Sequence, residues 1–347
     1  MHPLLVGYYG EHNLGDDALL EVLLSQLPAG CTPRVTAHDQ LQIQQRFGVH
    51  TVDRRSLVKV LQALQRCDSL VLGGGSLLQD ATSFSSLAYY SALIAAARLQ
   101  GKRVLLWGQG LGPLSRRRSR LVVRALLRLC DLCSWRDPDS AALAGSLGWR
   151  ARPDQPGAGV GSDPVWALAG SGWSGVGGPV VLCWRPVSQL QGSQWMPWLN
   201  ALESLASDRE LLWLPFHGDQ DRGLLRRLSD AGLLSPALQA RSREVMVEQP
   251  QAAMEVFRSA GLVVSMRLHG LILAAVSGAP VAALSYDPKV SAAAGALGCP
   301  SAELNQAAPP DLADQWNQIL DQPPAAVRVE ILRDNTAVHA GLLSSLC

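Results

Sequence analysis

The sequence predicts two α/β domains, each with a parallel sheet covered by helices, that face each other across a cleft. With 347 residues, the chain exceeds what one hydrophobic core usually supports. Short apolar runs alternate with helix-length segments in both halves, as is typical of parallel sheets covered by helices. A glycine-rich stretch at 171–178 interrupts this alternation and predicts a linker. We therefore expect domains at 1–170 and 179–347, with the last helix a candidate to pack back on the first domain.

The individual elements are predicted from the apolar runs and from the helical periodicity between them. Strands of the first half are expected at Leu4–Tyr9, Ser69–Gly73, Val104–Gly108 and Leu132–Trp135, and helices at Asp16–Leu27, Ser56–Arg66, Leu87–Gln100 and Arg118–Leu129. Strands of the second half are expected at Val180–Trp184, Glu210–Pro215, Gly261–Met266 and Pro280–Ser285. Its helices are expected near Trp195–Ser207, Gln220–Ala231, Gln251–Ser259, Leu271–Val276, Asp311–Leu320 and Ala325–Leu346. Ligands of such sheets gather beyond the carboxyl ends of the strands, so the residues that follow each strand are the candidates for a site.

Composition and charge narrow the class of protein. The 30 basic and 29 acidic residues give a net charge of +1, which argues against a general nucleic-acid binder. Seven dispersed cysteines favour a reducing cytoplasm. Cys130 and Cys133 have CxxC spacing without a second pair, so ordinary thiols are favoured, and no metal or cofactor is expected.

Localisation is predicted from the signals that the sequence lacks. The N-terminal pattern does not predict a secretory signal, and no apolar run approaches the ~20 residues that span a bilayer. We expect a cytoplasmic protein, and leave open whether it works at the inner face of a membrane. The basic helical pattern from Arg116 to Leu129 is interpreted as a solvated surface in preference to a membrane contact.

The most informative motif is the predicted strand-to-helix turn Arg267-Leu268-His269. Backbone N–H groups at the start of a helix favour an anion. Arg267 adds a permanently charged fork for phosphate or carboxylate. His269 can transfer a proton near neutral pH. The motif therefore predicts anion binding combined with acid–base chemistry.

Three further polar residues follow predicted strands of the second half: Arg185, His217 and Lys289. A single histidine such as His217 is more often packed or solvated than catalytic, but its recurrence at equivalent strand ends favours a shared site. Lys289 either supplies a point charge or pairs with Asp287 at the surface.

The motif Asn13-Leu14-Gly15-Asp16 opens the first predicted helix. Asn13, Asp16 and Asp17 are suited to helix capping. Capping explains at least one of the two acids, and the other is left open as an acceptor of a hydrogen bond from a sugar hydroxyl.

Glycines follow the next predicted strands of the first half. In Gly73-Gly74-Gly75-Ser76 they would expose backbone N–H groups to a ligand or form a tight turn. The Lys-Ser/Thr ending of a P-loop does not follow, so ATP hydrolysis is not expected. Gly110 lies in a similar glycine-rich strand end. Arg136 follows the fourth strand, where either an anion or a salt bridge with Asp137 would occupy it.

Taken together, the motifs make the chain resemble the polysaccharide pyruvyl transferase family, close to the CsaB type and WcaK-like. The match rests on these segments in family order: Asn13-Leu14-Gly15-Asp16, Gly73-Gly74-Gly75, Gly108-Gln109-Gly110, Trp135-Arg136-Asp137, Met266-Arg267-Leu268-His269 and Tyr286-Asp287-Pro288-Lys289. The resemblance implies two Rossmann-like domains in a GT-B-like arrangement. It also implies that phosphoenolpyruvate donates its three-carbon unit to a sugar of a lipid-linked or oligosaccharide acceptor, forming a pyruvate ketal and releasing phosphate.

The implied reaction assigns roles to the candidate residues. Phosphoenolpyruvate carries a phosphate and a carboxylate, so four cations are expected to hold it: Arg267, Arg136, Arg185 and Lys289. His269 is expected to be the main acid/base, with His217 an assistant or a phosphate ligand. The loops of the first domain, with Asn13, Asp16, Gly74, Ser76 and Gly110, would hold the acceptor.

Two other functions are compatible with the same motifs. A glycosyltransferase of the GT-B class would use a nucleotide sugar, and no clear base- or ribose-recognition site is visible near Trp184–Pro186. A non-catalytic anion-binding protein would bind a ligand without turnover. Two histidines and three arginines at strand ends favour an enzyme over that alternative.

Overall fold

The structure is a computed structural model that describes residues 1–80, 84–150, 159–170 and 172–346. Within these residues, strands and helices alternate along the chain. The strands are β1 (Pro3–Tyr9), β2 (Arg34–Ala37), β3 (His50–Asp53), β4 (Ser69–Leu78), β5 (Arg103–Leu111), β6 (Leu132–Trp135), β7 (Gly159–Val160), β8 (Val180–Cys183), β9 (Leu211–Trp213), β10 (Ser242–Glu244), β11 (Leu262–Ser265), β12 (Val281–Ser285) and β13 (Ser301–Glu303). The helices are α1 (Leu14–Ser25), α2 (Gln40–Phe47), α3 (Leu57–Gln65), α4 (Phe84–Leu99), α5 (Arg117–Leu127), α6 (Pro138–Ser146), α7 (Met196–Ser204), α8 (Gly218–Asp221), α9 (Leu224–Asp230), α10 (Pro236–Ala240), α11 (Pro250–Arg258), α12 (Leu268–Val276), α13 (Pro288–Leu297), α14 (Leu312–Ile319), α15 (Ala326–Asp334) and α16 (Ala337–Ser344).

The chain folds into two compact units, and each unit is built from more than one segment of the chain. The first unit contains Met1–Glu11, Asp16–Ala167 and Leu332–Cys347. The second contains His12–Gly15 and Leu168–Ile331. The change of unit after Ala167 comes just before the predicted domain end at 170, and the glycine-rich stretch 171–178 belongs to the second unit. Of that stretch, Ser171 lies outside the described residues.

Glycines in this stretch allow it to pack closely within the second unit. A Cβ atom on Gly175 would lie 2.3 Å from the carbonyl oxygen of Ala260, and one on Gly178 would lie 2.0 Å from that of Ser259. Since real Cβ atoms do not approach so closely, only glycine fits at these positions.

In the first unit, the described strands form one parallel sheet of seven in the order β3-β2-β1-β4-β5-β6-β7. Strands β1, β4 and β5 lie in its middle and are buried along nearly their whole length. Such burial explains their continuous apolar runs, which made them predictable. Strands β2, β3 and β7 were not predicted, because each has only two to four residues, too few to show a distinctive period.

Strands β4 and β5 extend further than predicted, and this corrects the interpretation of two glycine motifs. Gly73 pairs with Trp107 and Gly75 pairs with Gln109, so both motifs lie inside the sheet instead of in turns after it. Tyr9 donates a hydrogen bond from its hydroxyl to the Gly73 carbonyl at 2.8 Å. Some of the backbone groups that the three glycines were expected to expose to a ligand are thus used in pairing β4 with β5.

In the second unit, the described strands form a parallel sheet of six in the order β10-β9-β8-β11-β12-β13. The predicted strands of this half are confirmed, with ends shifted by a residue or two. The predicted helix at Gln220–Ala231 is wrong as a single element: α8 and α9 are separated at Gly223, whose φ is +73°. The predicted helix at Ala325–Leu346 is likewise divided into α15 and α16.

Among the described helices, none has both the length and the apolar character that crossing a bilayer requires.

Candidate functional site

The predicted polar residues of the second unit lie along one edge of its sheet. Strands β9, β8, β11 and β12 are consecutive neighbours and parallel, so their carboxyl ends share that edge. His217, Arg185, Arg267 and Lys289 follow these four strands in the same order, and His269 lies in the first turn of α12. The fold therefore brings together residues that are more than 100 positions apart in sequence.

Arg267 is held by a buried carboxylate, that of Asp221. Arg267 Nε donates to Asp221 Oδ2 at 3.0 Å, and Arg267 Nη2 donates to Asp221 Oδ1. The Asp221 side chain is fully buried, and its Oδ2 also accepts the backbone N–H groups of Phe216 (3.1 Å) and His217 (2.9 Å). Gln220 Oε1 accepts a further bond from Nη2 at 3.1 Å. The Arg267–Asp221 pair therefore fixes the loop that carries His217, and much of the charge of Arg267 is compensated.

His217 is a buried histidine whose ring makes no hydrogen bond within the described part of the chain. It is 4% exposed, and neither Nδ1 nor Nε2 has a partner there. Burial lowers its pKa, and the positive charges of Arg267 and Arg185 lower it further. The negative charge of Asp221 opposes this shift without cancelling it. At neutral pH the ring is therefore neutral, able to accept a proton or to bond a ligand.

His269 is half-buried, and its position depends on the start of α1. A Cβ atom on Gly15 would lie 2.1 Å from His269 Nδ1, so any side chain at position 15 would collide with the imidazole. The residues before Gly15 pair with the loop of the other histidine, through an antiparallel bridge between Asn13 and His217. The motif around Asn13 and the two histidines thus form one local structure within the second unit.

Asn13 shapes the turn at the start of α1. Its Oδ1 accepts the backbone N–H of Gly15 at 3.0 Å, as predicted for a capping residue. The N–H of Leu14 donates to the Phe216 carbonyl at 3.1 Å, and the N–H of Gly218 donates to the His12 carbonyl at 2.9 Å. These bonds hold the turn against the strand-end loop.

Arg185 forms a bridge across the end of β11. Its Nη1 donates to the hydroxyl oxygen of Tyr286 at 3.0 Å, and its guanidinium carbon lies 5.1 Å from the centre of that ring. Arg185 follows β8 and Tyr286 follows β12, which are the two neighbours of β11. The pair therefore lies where α12 begins. No carboxylate among the described residues pairs with Arg185, so its charge is available to a bound anion.

Lys289 pairs locally with Asp287, the alternative that the sequence left open. The distance from Lys289 Nζ to Asp287 Oδ2 is 3.1 Å, and Asp287 Oδ1 accepts the backbone N–H of Lys289 at 3.1 Å. Asp287 is also the N-cap of α13. The charge of Lys289 is therefore partly compensated before any ligand binds.

In the first unit, Arg136 is buried beside two carboxylates and a hydroxyl. Its Nε lies 3.3 Å from Asp137 Oδ2, its Nη1 lies 3.5 Å from Asp163 Oδ2, and its Nη2 donates to Ser76 Oγ at 2.9 Å. A Cβ atom on Gly110 would lie 2.6 Å from the guanidinium group, so glycine is needed for Arg136 to lie flat against β5. Arg136 thus orients Ser76, and its contacts go beyond a surface salt bridge with Asp137.

Asp16 and Gly74 lie where α1 packs against β4. Asp16 is half-buried in the first turn of α1, with Oδ1 3.7 Å from where a Cβ on Gly75 would be. Gly74 has a φ of +61°, and a Cβ on it would lie 2.7 Å from Leu19 Cδ2. Glycine at position 74 therefore lets β4 lie close against α1.

Four residues that position these side chains were not predicted as site residues: Gly15, Asp163, Asp221 and Tyr286. Gly15, Asp221 and Tyr286 lie inside or close to motifs that were recognised, and this position was the one sequence signal that could have identified them. Asp163 had no local signal, because it follows β7, a short strand without an apolar run. Each acts through a partner distant in sequence, which a local pattern does not specify.

Cysteine and metal-ligand groupings add nothing to this site. Among the described residues, no three His, Cys, Asp or Glu side chains are grouped so as to hold a metal ion. Cys130 and Cys133 are free thiols, and burial raises the pKa of the Cys133 thiol well above its usual value.

Solved structures that share the fold include the following three. MurG from Acinetobacter baumannii is 13% identical, with 99% of each chain covered and a TM-score of 0.55. The lipopolysaccharide outer core galactosyltransferase WaaB in its apo form is 9% identical, with 100% of each chain covered and a TM-score of 0.56. UDP-GlcNAc 2-epimerase from Neisseria meningitidis, bound to UDP-GlcNAc, is 12% identical, with 100% of this chain and 98% of the other covered and a TM-score of 0.58. At these identities the likeness concerns the fold alone, and it confirms the predicted class of two Rossmann-like, GT-B-like domains.

Sequence comparison identifies one family. A family model described as polysaccharide pyruvyl transferase matches residues 13–288, from the Asn13 turn to the start of α13. A comparison with curated proteins finds no match. The matched range contains every motif on which the resemblance was based, except the final lysine at position 289.

Proposed function

We propose that this chain, which belongs to the polysaccharide pyruvyl transferase family, transfers the three-carbon unit of phosphoenolpyruvate to a sugar of a surface or cell-wall polysaccharide precursor. The product would be a pyruvate ketal, in which one carbon joins two sugar hydroxyl oxygens. The observation that carries the proposal is the strand-end edge of the second unit. There an arginine without a carboxylate partner among the described residues lies with two histidines at the start of a helix.

The proposed reaction balances in atoms and charge. The methylene carbon of phosphoenolpyruvate gains a proton and becomes a methyl group. The adjacent carbon forms bonds to two sugar oxygens and loses its bond to the phosphate oxygen. The two hydroxyl protons balance the proton gained by the methyl group and the proton that leaves with hydrogen phosphate. Proton transfer in both directions is therefore the task of the site.

Binding of the donor anion is assigned first to Arg185. Its guanidinium bonds to Tyr286, which follows the strand next to β11, and the side chain of Arg267 makes no capping hydrogen bond at the start of α12. A helix start and a planar cation together suit phosphate or carboxylate. Arg267 keeps a role in this proposal mainly as the partner of Asp221 that holds the His217 loop, with Lys289 contributing less because Asp287 already pairs with it.

Proton transfer is assigned to the two histidines. His269 is the proposed main acid/base, since it lies in the first turn of α12 beside the anion site. His217 is proposed to assist, either as a base or as a ligand of the phosphate, because its buried neutral ring suits both. For the acceptor, we propose the strand-end residues of the first unit, with Ser76 oriented by Arg136 and with Asp16 as a hydroxyl contact.

Ligand-dependent thermal stability tests the donor. We expect phosphoenolpyruvate to raise the melting temperature, because a ligand that binds only the folded state stabilises it. The Arg185→Gln variant should lose this shift. Stabilisation by nucleotide sugars but not by phosphoenolpyruvate would contradict the proposal and favour a glycosyltransferase.

Replacing His269 by alanine tests the catalytic assignment. Phosphate release from phosphoenolpyruvate with a panel of lipid-linked and nitrophenyl sugars should fall by about 10²-fold or more, the usual contribution of a general acid or base. The matched control is His50→Ala, at an exposed histidine of β3, which should release phosphate as the wild type does. Wild-type rates in folded His269→Ala protein would overturn the role. Phosphoenolpyruvate binding without turnover of any acceptor in the panel would favour an anion-binding protein.

A further inference from the structure

Helix α5 of the first unit presents a face of exposed arginines. We call it the arginine face, and it consists of Arg116, Arg117, Arg118, Arg120, Arg124 and Arg128. None of the six pairs with a carboxylate within the described residues. Arg118 lies over the ring of Phe84, with 4.4 Å from its guanidinium carbon to the ring centre. The remaining charge of this face is directed to solvent.

The charge of the chain is concentrated on this part of the molecule. Between positions 84 and 150 the sequence has eleven basic and three acidic residues, although the net charge of the whole chain is only +1. Two of the three acids are already paired, Asp131 with Arg98 and Asp137 with Arg136. The arginine face is therefore a local positive field that composition alone does not reveal.

The arginine face lies on a firmly packed helix. The inner side of α5 places Val123, Leu126 and Leu127 in the core of the first unit. At its start, the buried carboxylate of Asp80 accepts the backbone N–H groups of Ser115 and Arg116, both at 2.9 Å. Although burial opposes ionisation, these donors hold the pKa of Asp80 well below its usual value. Since α5 is fixed at its start and along its inner side, the arginines form a preformed surface.

An exposed leucine lies among the arginines. Leu121 is 66% exposed, whereas the other large apolar residues of α5 face the core or are half-buried. An apolar side chain between cations matches the boundary between lipid headgroups and acyl chains. A polyanion in water, such as a nucleic acid, would gain little from it, and single-stranded chains need exposed aromatic rings for stacking.

In place of the solvated surface that the sequence alone favoured, we propose that the arginine face docks on the surface of an anionic lipid bilayer, with the arginines near the lipid phosphates and Leu121 in the headgroup boundary. The complementary charge carries the interaction, as clusters of four to eight basic residues do on other membrane-binding helices. Helix α5 follows β5, so it begins at the strand-end edge that carries Ser76, Gly110 and Arg136. If the proposed function holds, docking would bring that edge to a lipid-linked acceptor.

Co-sedimentation of the full chain with vesicles tests this docking. One set of vesicles contains phosphatidylcholine alone, and the other contains roughly 30 mol% phosphatidylglycerol. We expect binding to the anionic set at about 0.1 M salt and loss of binding as salt rises, because surface charges are then screened. The variant with Arg117→Glu, Arg120→Glu and Arg124→Glu should bind about 100-fold more weakly, given the contribution of each basic residue near an anionic surface.

The matched control has the same change in net charge elsewhere: Arg66→Glu, Arg222→Glu and Arg226→Glu, all exposed. It should bind vesicles as the wild type does. Glutamine in place of glutamate gives a second α5 variant if the first does not fold. Equal binding to both vesicle sets, or no binding to the anionic set, would overturn the proposal. So would a loss of vesicle binding in the control variant equal to that in the α5 variant. Arginine-dependent binding to a nucleic-acid duplex without vesicle binding would overturn it as well. Phosphate release with a soluble acceptor is expected to be unchanged in the α5 variant, so docking and the proposed function can fail separately.

Discussion

At the scale of single residues, the position of His269 depends on what its neighbours lack. Gly15 has no side chain, and the imidazole occupies the space where one would lie. His217 depends instead on what its neighbours supply, since Asp221 accepts its backbone N–H and also holds Arg267. Both histidines are therefore placed by residues that do no proposed chemistry themselves.

Replacing Gly15 by alanine tests this placement. The added methyl group would displace the ring of His269, so phosphate release should fall by about 10²-fold, as expected when an acid/base group is misplaced. The matched control is Gly218→Ala in the adjoining loop, where the new Cβ would lie an ordinary 3.5 Å from His12 Cβ. Turnover of both variants is compared by a phosphate-release assay, with folding checked by circular dichroism. Similar rates in the two variants would show that Gly15 does not position His269.

At the scale of elements, strand β5 accommodates a buried cation against its backbone. Gly110 leaves room for the guanidinium of Arg136, and Ser76 of the neighbouring strand β4 accepts a hydrogen bond from it. Two carboxylates, on Asp137 and Asp163, balance the charge. Burying an arginine is costly unless it is paired and bonded in this way.

Replacing Gly110 by alanine should lower the free energy of unfolding by about 1–3 kcal/mol, because the methyl group would overlap the guanidinium of Arg136. Gly145→Ala in α6 is the control: its Cβ meets no atom within 4 Å, so helix propensity should stabilise the protein by up to about 1 kcal/mol. Urea denaturation measures both values. A neutral effect of Gly110→Ala would mean that Arg136 can move away at little cost.

At the scale of the whole molecule, each unit is completed by a distant segment of the chain. The C-terminal residues from Leu332 onward belong to the first unit, and His339 fixes them there. His339 Nε2 donates to the Ser162 carbonyl at 2.7 Å, since a carbonyl only accepts. Nδ1 then accepts from the hydroxyl of Ser134 at 2.8 Å, and that hydroxyl oxygen accepts the N–H of Gly108. This chain of bonds requires a neutral ring.

Stability should therefore depend on the protonation of His339. Burial lowers its pKa, while the bond to the Ser162 carbonyl opposes the shift. In the unfolded state, the His339 side chain has an ordinary pKa of about 6.5. Near and below that pH, the unfolded state therefore binds more protons than the folded state. The free energy of unfolding should thus fall as pH is lowered from about 7.5 to about 5.5. Urea denaturation of wild type and His339→Gln at both pH values measures this, and the variant should show a smaller difference between them.

The control for this pH dependence is His50→Gln, at an exposed histidine. It should keep the full difference between the two pH values. An equal reduction in both variants, or none in His339→Gln, would contradict the assignment of the effect to the buried ring.

Much of the fold and part of the site could be predicted from the sequence. Central strands such as β1 and β11 are buried on both faces, so their continuous apolar runs mark them, and the polar residues after them mark the strand ends. The short strands β2, β3, β7, β10 and β13 were missed, because their few residues carry no distinctive period.

The sequence by itself determined the two parallel α/β sheets, the order of the motifs and the family, because apolar periodicity and short motifs are local properties. Only the tertiary structure decided which charges are compensated: Asp221 pairs with Arg267, whereas no described carboxylate pairs with Arg185. It also decided that the Asn13 turn belongs with the two histidines, and that the six arginines of α5 face solvent together. Pairing and exposure depend on contacts between residues far apart in the chain, and no local pattern records them.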